Sequence, residues 1–516
     1  MKSDSDSLML DGEVHFKRDR TGLPSERMGP GQFYAAVAAL FAGGLAIRIV
    51  LGIYTQGYVG DQMYFIRWME AAMQHGVRGS YLNSGMQNYP PVFIAILEGY
   101  GHVLNFLGVE IRTAHLSSKM LPILFDLGTM ASLLLIFRRW SYKRRLALLA
   151  CLAFNPALLA DGAVWGQIDV FHSALMVLSV LLVLTQPLAA GVLIAVALLS
   201  KFQAIVVAPV LGALLLRQLL RRDWRRPLLF IAGFAIPAAV TAGWFALKGA
   251  LDDMVRMAYL SATDMYPQLS LNAFNLWYHL FTNPSVHDDT IFFGGVSYKT
   301  FGFILLGVAC LFVAAYILLL RDLKAIHLLK AAALVNLAFF LLPTEIHERY
   351  GVPAMLFLLL IPFLLDPGRE RVRWGIPAGL FTMSTALNIW LVLNGGFGGK
   401  WLRGGSLVSS NRFRNDNSPF GSPGSSGVGG AAQGRGDISG NPGFGMDSFG
   451  RGAGGLREGN IGGARQGGGF GNGSLSGWEH HFAVGMAYAN LMILAWIIGA
   501  MLGDIFSRSS RKTDWK

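Results

Sequence analysis

A carboxylate, Asp61, stands directly after the first membrane-length apolar run, at the head of the stretch GDQMYFIRWMEAAMQHGVRGSYLNSGMQNYPPV from Gly60 to Val92. Met63, Phe65, Ile66, Met69 and Met73 recur at helical spacing with Arg67 and Glu70 on the other side, which predicts an amphipathic helix at a bilayer surface. The pattern breaks at Gly76 and Gly79 and closes on Asn88-Tyr89-Pro90-Pro91, where the two prolines fix the backbone at the start of a second apolar helix. An acid held on such a loop can take a proton from a substrate. A solvated Asp in an ordinary interfacial loop has the same local pattern.

Three further groups carry the side-chain types that phosphate and sugar chemistry need. Lys201, in Ser200-Lys201-Phe202-Gln203, separates two short apolar runs, so paired short helices with a junction facing a cavity are expected. An ammonium there is a point charge suited to phosphate, although a lysine at such a place also snorkels to the interface. His347, Glu348 and Arg349 end an apolar run as a dense charged tripeptide. Arginine forks recognise phosphate oxygens, and a solvated loop with an internal Glu-Arg pair is the structural alternative. Asp161 and Asp169 flank Trp165 and Gln167, an aromatic, amide and carboxylate mixture that suits a sugar, while a tryptophan near a helix end also suits the membrane belt. Ionisable groups at membrane depth cost about 2.5–3.5 kcal/mol each on insertion scales, so those retained usually face a cavity. No metal is expected, because His347-Glu348-Arg349-Tyr350 lacks a second histidine at helical spacing.

The elements that must position these groups are membrane helices. The chain of 516 residues is 53% hydrophobic and 14% charged with a mean hydropathy of +0.45, too apolar for a soluble globule. Its net charge of +12 is spread over short loops between apolar runs, so it sets topology and does not indicate a nucleic-acid partner. Cys151 and Cys310 both lie in apolar runs, where neither a disulfide nor a metal motif is expected. Residues 1–32 are a polar tail without a signal-peptide cleavage pattern, expected in the cytoplasm.

Spans are expected near 33–54, 119–138, 146–161, 169–185, 187–200, 202–216, 227–247, 300–320, 329–343, 351–365, 375–394 and 480–503, about twelve in an all-α polytopic membrane protein. The apolar run 90–108 carries Glu98, His102 and Asn105, and counting it as a span would move the arginines at 138–145 to the outside. It is therefore read as an interfacial or re-entrant helix within a first extracytoplasmic loop of 55–118. The basic clusters at 1–32, 138–145, 217–226, 321–330, 369–373 and 504–516 then share one side and hold 25 of the 43 Lys and Arg. Asp61, Tyr89, Pro90, Asp161, Trp165, Gln167, Asp169, Lys201, Gln203, His347, Glu348 and Arg349 collect on the opposite, extracytoplasmic face.

Residues 395–479, between the 33–394 domain and the last span, are rich in Gly, with 29 of the 63 glycines between 395 and 477. The segment is too polar to bury a core and is expected to be disordered, either as a lid or glycan tether or as a low-complexity insertion.

The ordered series DQMYFIRWME (61–70), YPP (89–91), Asp126 in a span, NP (155–156), WGQID (165–169), SKFQ (200–203) and HERY (347–350) resembles the multi-span C-type (GT-C) glycosyltransferases. The chain is most similar to the dolichyl-phosphate-glucose glucosyltransferases of N-glycan assembly and their bacterial relatives, with GPI-mannosyltransferase-like bacterial proteins next. The resemblance covers roughly 33–395. It implies inverting transfer of one hexose, glucose or mannose, from a polyprenyl-phosphate donor to a glycolipid or glycan acceptor, without a cofactor. It makes Asp61 the general base, and places the enzyme in a bacterial inner membrane in contact with its lipid. The eukaryotic glucosyltransferases carry Lys where Arg349 stands, and the glycine-rich loop has no counterpart in them. A lipid-linked sugar flippase or other transporter would also line a polar cavity, but would show inverted repeats with charges near the midplane. No such repeat is visible, and the charges gather at one face.

Overall fold

The computed structural model describes residues 28–84, 87–261, 267–278, 286–394 and 477–506. Most of the N-terminal tail, the glycine-rich segment over 395–476 and the C-terminal tail from 507 lie outside the described residues. Helix α1 (Pro30–Tyr54) is followed by α2 (Val59–Asn83), α3 (Pro91–Phe106), α4 (Leu116–Ile136), α5 (Tyr142–Ala153) and the short α6 (Pro156–Leu158). A π-helical turn (Leu159–Trp165) leads to α7 (Asp169–Leu182) and α8 (Pro187–Leu198), and a 3₁₀ turn (Phe202–Val207) leads to α9 (Ala208–Leu220) and α10 (Arg225–Ala246). After α11 (Leu251–Val255), a two-stranded hairpin of β1 (Ile291–Phe293) and β2 (Val296–Ser297) feeds α12 (Tyr298–Leu319). Then come α13 (Ala325–Leu341), α14 (Val352–Leu364), α15 (Arg369–Asn394) and α16 (Gly477–Phe506).

Among the described residues, eight helices or helix runs are long and apolar enough to cross a membrane: 30–54, 116–136, 142–165, 202–220, 225–246, 298–319, 369–394 and 477–506. The other four expected spans are also helical but shorter, at 14, 12, 17 and 13 residues for α7, α8, α13 and α14. At 1.5 Å per residue these four are about 18–26 Å long, and α13 and α14 are buried along most of their length. Helices α8 and α10 meet backbone to backbone: a Cβ on Gly191 would strike the Phe230 carbonyl, and one on Gly233 the Leu188 carbonyl. Such contact between small residues is how membrane helices associate without a hydrophobic driving force.

A buried ion pair fixes the first half of the bundle. Arg48 of α1, fully buried, donates to Asp126 Oδ2 of α4 at 2.7 Å and to the Ala153 carbonyl at the end of α5 at 2.7 Å. Gly162 of the π-helical turn faces that carboxylate, a Cβ there coming within 3.1 Å of Asp126 Oδ2. Removing one partner of such a pair costs about 3–5 kcal/mol.

Helix α2 departs from its sequence pattern. It is kinked at Gly76, whose φ of 70° is left-handed, but runs through Gly79 to Asn83. Both ends of the α3 run return to the same end of the bundle: Val92 N–H donates to the Leu199 carbonyl at 2.8 Å, and Ala114 N–H to Gln62 Oε1 at 2.7 Å. With Cys151 and Cys310 replaced by Ala, single cysteines at the exposed positions 83 and 112 should both react with an impermeant maleimide applied from outside cells. One at 143 should not. Reaction at only one of the first two would mean that α3 crosses the bilayer.

Candidate active site

Asp61 sits in the first turn of α2, where the chain turns back beneath α1. Gly57 makes that turn possible, with φ +70° and no room for a Cβ, which would lie 2.9 Å from the Trp165 carbonyl and closer still to Val164 O and Gln62 Nε2. Gln62, fully buried, is the hub. Its Nε2 donates to the carbonyls of Gln56 (3.2 Å) and Trp165 (3.1 Å), and its Oε1 accepts from Ala114 N–H and from Ser118 Oγ (3.1 Å). Lys119 Nζ, at the head of α4, binds the last carbonyls of α1, including Gly52 O at 3.2 Å. A cation on helix-terminal carbonyls is favourable through the macrodipole.

The π-helical turn brings the next donors up to Asp61. The Asp161 carbonyl accepts from both Gly166 N–H (3.2 Å) and Gln167 N–H (3.0 Å), and Gly166 adopts φ 91° to close the turn. Trp165 Nε1 then donates to Asp61 Oδ2 at 2.8 Å and Gln167 Nε2 to the same oxygen at 2.6 Å. Arg349 Nη2 lies 3.6 Å from it. All three contacts fall on Oδ2 and leave Oδ1 to other partners. Tyr89 OH donates to Gln167 Oε1 at 3.4 Å.

Two cations share the site with these acids. Lys201 Nζ pairs with Asp169 Oδ1 and lies over the rings of Tyr350 (5.2 Å) and Tyr89 (5.7 Å). Arg349 spreads over three carboxylates: Glu348 Oε1 at 3.0 Å, Asp61 Oδ2 at 3.6 Å and Asp169 Oδ2 at 3.7 Å. Its guanidinium also stands 5.3 Å from the Trp165 ring, which stacks on Tyr58 at 5.0 Å and 24°. Gln203 Nε2 ties the Lys201 turn to the Tyr350 carbonyl at 3.2 Å.

Burial sets the protonation states at the 347–350 turn. It pushes the Glu348 carboxyl up to about 7, with Arg349 opposing it. Arg349 stays fully charged, because Asp61 and Glu348 outweigh its own burial. Burial, and then the Arg349 and Lys201 cations, hold His347 well below the usual imidazole range, so its ring is neutral 3.9 Å from Glu348. Tyr89 is held as the phenol by burial and by the Asp169 carboxylate.

The structure thus draws Asp61, Tyr89, Trp165, Gln167, Asp169, Lys201, Gln203, Glu348 and Arg349 into one connected group with His347 at its edge. Trp165, expected among the sugar contacts, is 2% exposed and donates to Asp61. Asp161 lies beside the group without a hydrogen bond to it: it is 1% exposed in the π-helical turn, and neither carboxylate oxygen has a hydrogen-bond partner among the described residues. Pro90 is the N-cap of α3. The sequence reading missed Gln62, Lys119, Tyr58 and Tyr350. Asp61-Gln62 and Arg349-Tyr350 are adjacent pairs whose second member reads as an ordinary polar or aromatic residue, and Lys119 reads as a charge at a span end. Trp165→Phe removes one hydrogen bond to a carboxylate and keeps most of the ring packing. Such bonds are worth about 1.5–3 kcal/mol, so turnover should fall roughly ten- to a hundredfold with protein yield unchanged.

Residues 89–288 match the sequence model of glycosyltransferase family 87. That family is one of C-type polytopic glycosyltransferases. The family-87 match takes in Tyr89, Pro90, the 161–169 stretch, Lys201 and Gln203, and leaves Asp61 and the 347–350 turn outside it. No curated protein matches the chain.

Proposed function

We propose that this chain is an inverting hexosyltransferase that moves glucose or mannose from a polyprenyl phosphate to a hydroxyl of a glycolipid or glycan, on the extracytoplasmic face of a bacterial inner membrane. The observation that carries this reading is Asp61, a carboxylate fixed through one oxygen by Trp165 and Gln167 beside the two buried cations Lys201 and Arg349. The acceptor O–H gives its proton to Asp61 as its oxygen attacks the anomeric carbon, and the bond from that carbon to the phosphate oxygen breaks with its electron pair staying on phosphate. A single displacement inverts the anomeric centre. The leaving group departs as an anion, so no general acid is required, and Lys201 and Arg349 are placed to stabilise the developing charge. Membrane helix ends support the assigned face: Asp61, Asp169, Lys201 and Arg349 all lie at the end of the bundle opposite the arginines that follow α4, α9 and α14.

The test is an assay of purified protein in lipid with radiolabelled polyprenyl-phosphate glucose and polyprenyl-phosphate mannose against glycolipid acceptors. Transfer of label with inversion supports the reading. Movement of the intact carrier across the bilayer without a new glycosidic bond would replace it with a transporter.

A further inference from the structure

Arg349 is carried on a turn whose geometry is unusual and heavily constrained. Glu345, four residues before it, has φ 59°, and Asn272, on the segment facing it, has φ 70°. Both are left-handed positions held by non-glycine residues; asparagine tolerates this region, but at Glu345 it is strained and persists only where surroundings over-determine it. The segment 268–277 supplies those surroundings. Leu271 N–H donates to Ile346 O at 2.9 Å, Leu276 N–H to Leu341 O at 3.0 Å and Trp277 Nε1 to Leu342 O at 2.8 Å, while Glu345 N–H donates to Gln268 O at 3.1 Å.

That segment is in turn gripped by two helices that contribute no charged group to the site. Phe274 N–H donates to Asn388 Oδ1 of α15 at 3.0 Å, and Phe274 O accepts from Asn490 Nδ2 of α16 at 3.0 Å. Asn388 Nδ2 also donates to Asn272 O at 2.7 Å, the carbonyl of the left-handed residue itself. The Phe274 side chain packs with Leu391 of α15 and Ala483 and Ala487 of α16. Asn388 is 1% exposed and Asn490 fully buried, inside helices of membrane length where an amide is costly unless bonded. Asn490 even leaves its own Oδ1 without a hydrogen-bond partner among the described residues. Its contact with the 268–277 segment is a donation to one backbone carbonyl.

The geometry points to Asn388 and Asn490 as positioning residues for Arg349, acting through Phe274 and the paired segments 268–277 and 341–346. The proposal rests on the function above, because it takes Arg349 to hold the phosphate of the carrier. Without either amide the strained turn at Glu345 relaxes, and the guanidinium moves relative to Asp61 and Asp169. Misplacement by about 1 Å costs on the order of a hundredfold where a fixed group must meet its target.

The full-length protein in nanodiscs is compared with Asn490→Leu, Asn388→Leu and the milder Asn490→Ser. Asn394→Leu serves as the control, since among the described residues that amide bonds to the Trp390 carbonyl of its own helix, at 2.8 Å. Two quantities are read: deuterium exchange of peptides spanning 341–351, and affinity for undecaprenyl phosphate. The expected result is exchange over 341–351 faster by about tenfold or more, with affinity for undecaprenyl phosphate lower by roughly ten- to a hundredfold, and neither change in the control. Unchanged exchange, with wild-type affinity intact, overturns the positioning role alone. So does faster exchange with unchanged affinity, because the tie is then merely structural. A wild-type protein that does not bind undecaprenyl phosphate removes the proposed function and this role with it. If the leucine variants fail to fold, Asn490→Ser decides by the same two readings.

Discussion

Asp61→Asn is expected to lower turnover by about 10² to 10⁴-fold, the usual contribution of a general base, with affinity for the carrier largely kept. The substitution preserves the shape of the side chain and an oxygen that can still accept from Trp165 Nε1 and Gln167 Nε2, now 2.8 and 2.6 Å from Oδ2. What it removes is the ability to take a proton and the negative charge 3.6 Å from Arg349. Loss of that charge frees Arg349 for an anionic ligand, so carrier affinity should hold or rise while the chemical step fails. The measurement is single-turnover transfer together with binding of undecaprenyl phosphate. Turnover within a few fold of wild type would place the base elsewhere. Asp169 would not be an easy substitute, because it is fully buried and paired with Lys201, and Asp161 is sealed in the π-helical turn.

How much of this was legible in the sequence differs from residue to residue. The helices were, because an apolar run of membrane length has few alternatives when every backbone group must be bonded internally. All twelve expected segments are helical, and eight reach spanning length. The site was legible as a set of polar groups at one end of alternating helices, which follows from counting spans and basic clusters. The roles within it were less so. Trp165 and Asp161 are four residues apart, and in an ordinary helix both could face one cavity. The π-helical turn over 159–165 sends Trp165 to Asp61 and leaves Asp161 buried, and nothing in LADGAVW announces a wide turn. Asp126 in an apolar span is paired with Arg48 of the first span, 78 residues away, and that pairing needs the tertiary structure. The loop 267–278 carries no pattern of its own. Its conformation is dictated by amides on α15 and α16, which lie over a hundred residues downstream.

Arg349 carries the second large effect, and its surroundings decide how it must be tested. Arg349→Ala would leave Glu348, Asp61 and Asp169 without their shared cation, and breaking a buried pair in this way costs about 3–5 kcal/mol. A drop in yield is therefore expected alongside loss of donor use. Arg349→Ala combined with Glu348→Gln removes one acid with the cation and should recover much of the yield. It should not recover affinity for the carrier phosphate, and a double variant that binds undecaprenyl phosphate as tightly as wild type would strip Arg349 of that role. The same pair predicts a pH dependence. Burial raises the Glu348 carboxyl from its ordinary 4.5 to about 7, so between these values the folded protein holds a proton that the unfolded chain has lost. Stability from this group is fully present below about pH 4.5 and is lost as pH rises through about 7. Donor binding should follow the same direction, since a neutral Glu348 leaves the Arg349 charge to phosphate whereas an ionised one, 3.0 Å away, competes for it. Affinity for a polyprenyl-phosphate sugar, a diester whose charge does not change between pH 6 and 8.5, should thus weaken with rising pH in the wild type and stay nearly flat in Glu348→Gln. A wild-type profile that matches the Glu348→Gln profile would show that this carboxyl does not titrate against the site, and would leave Arg349 paired with an acid that is ionised throughout.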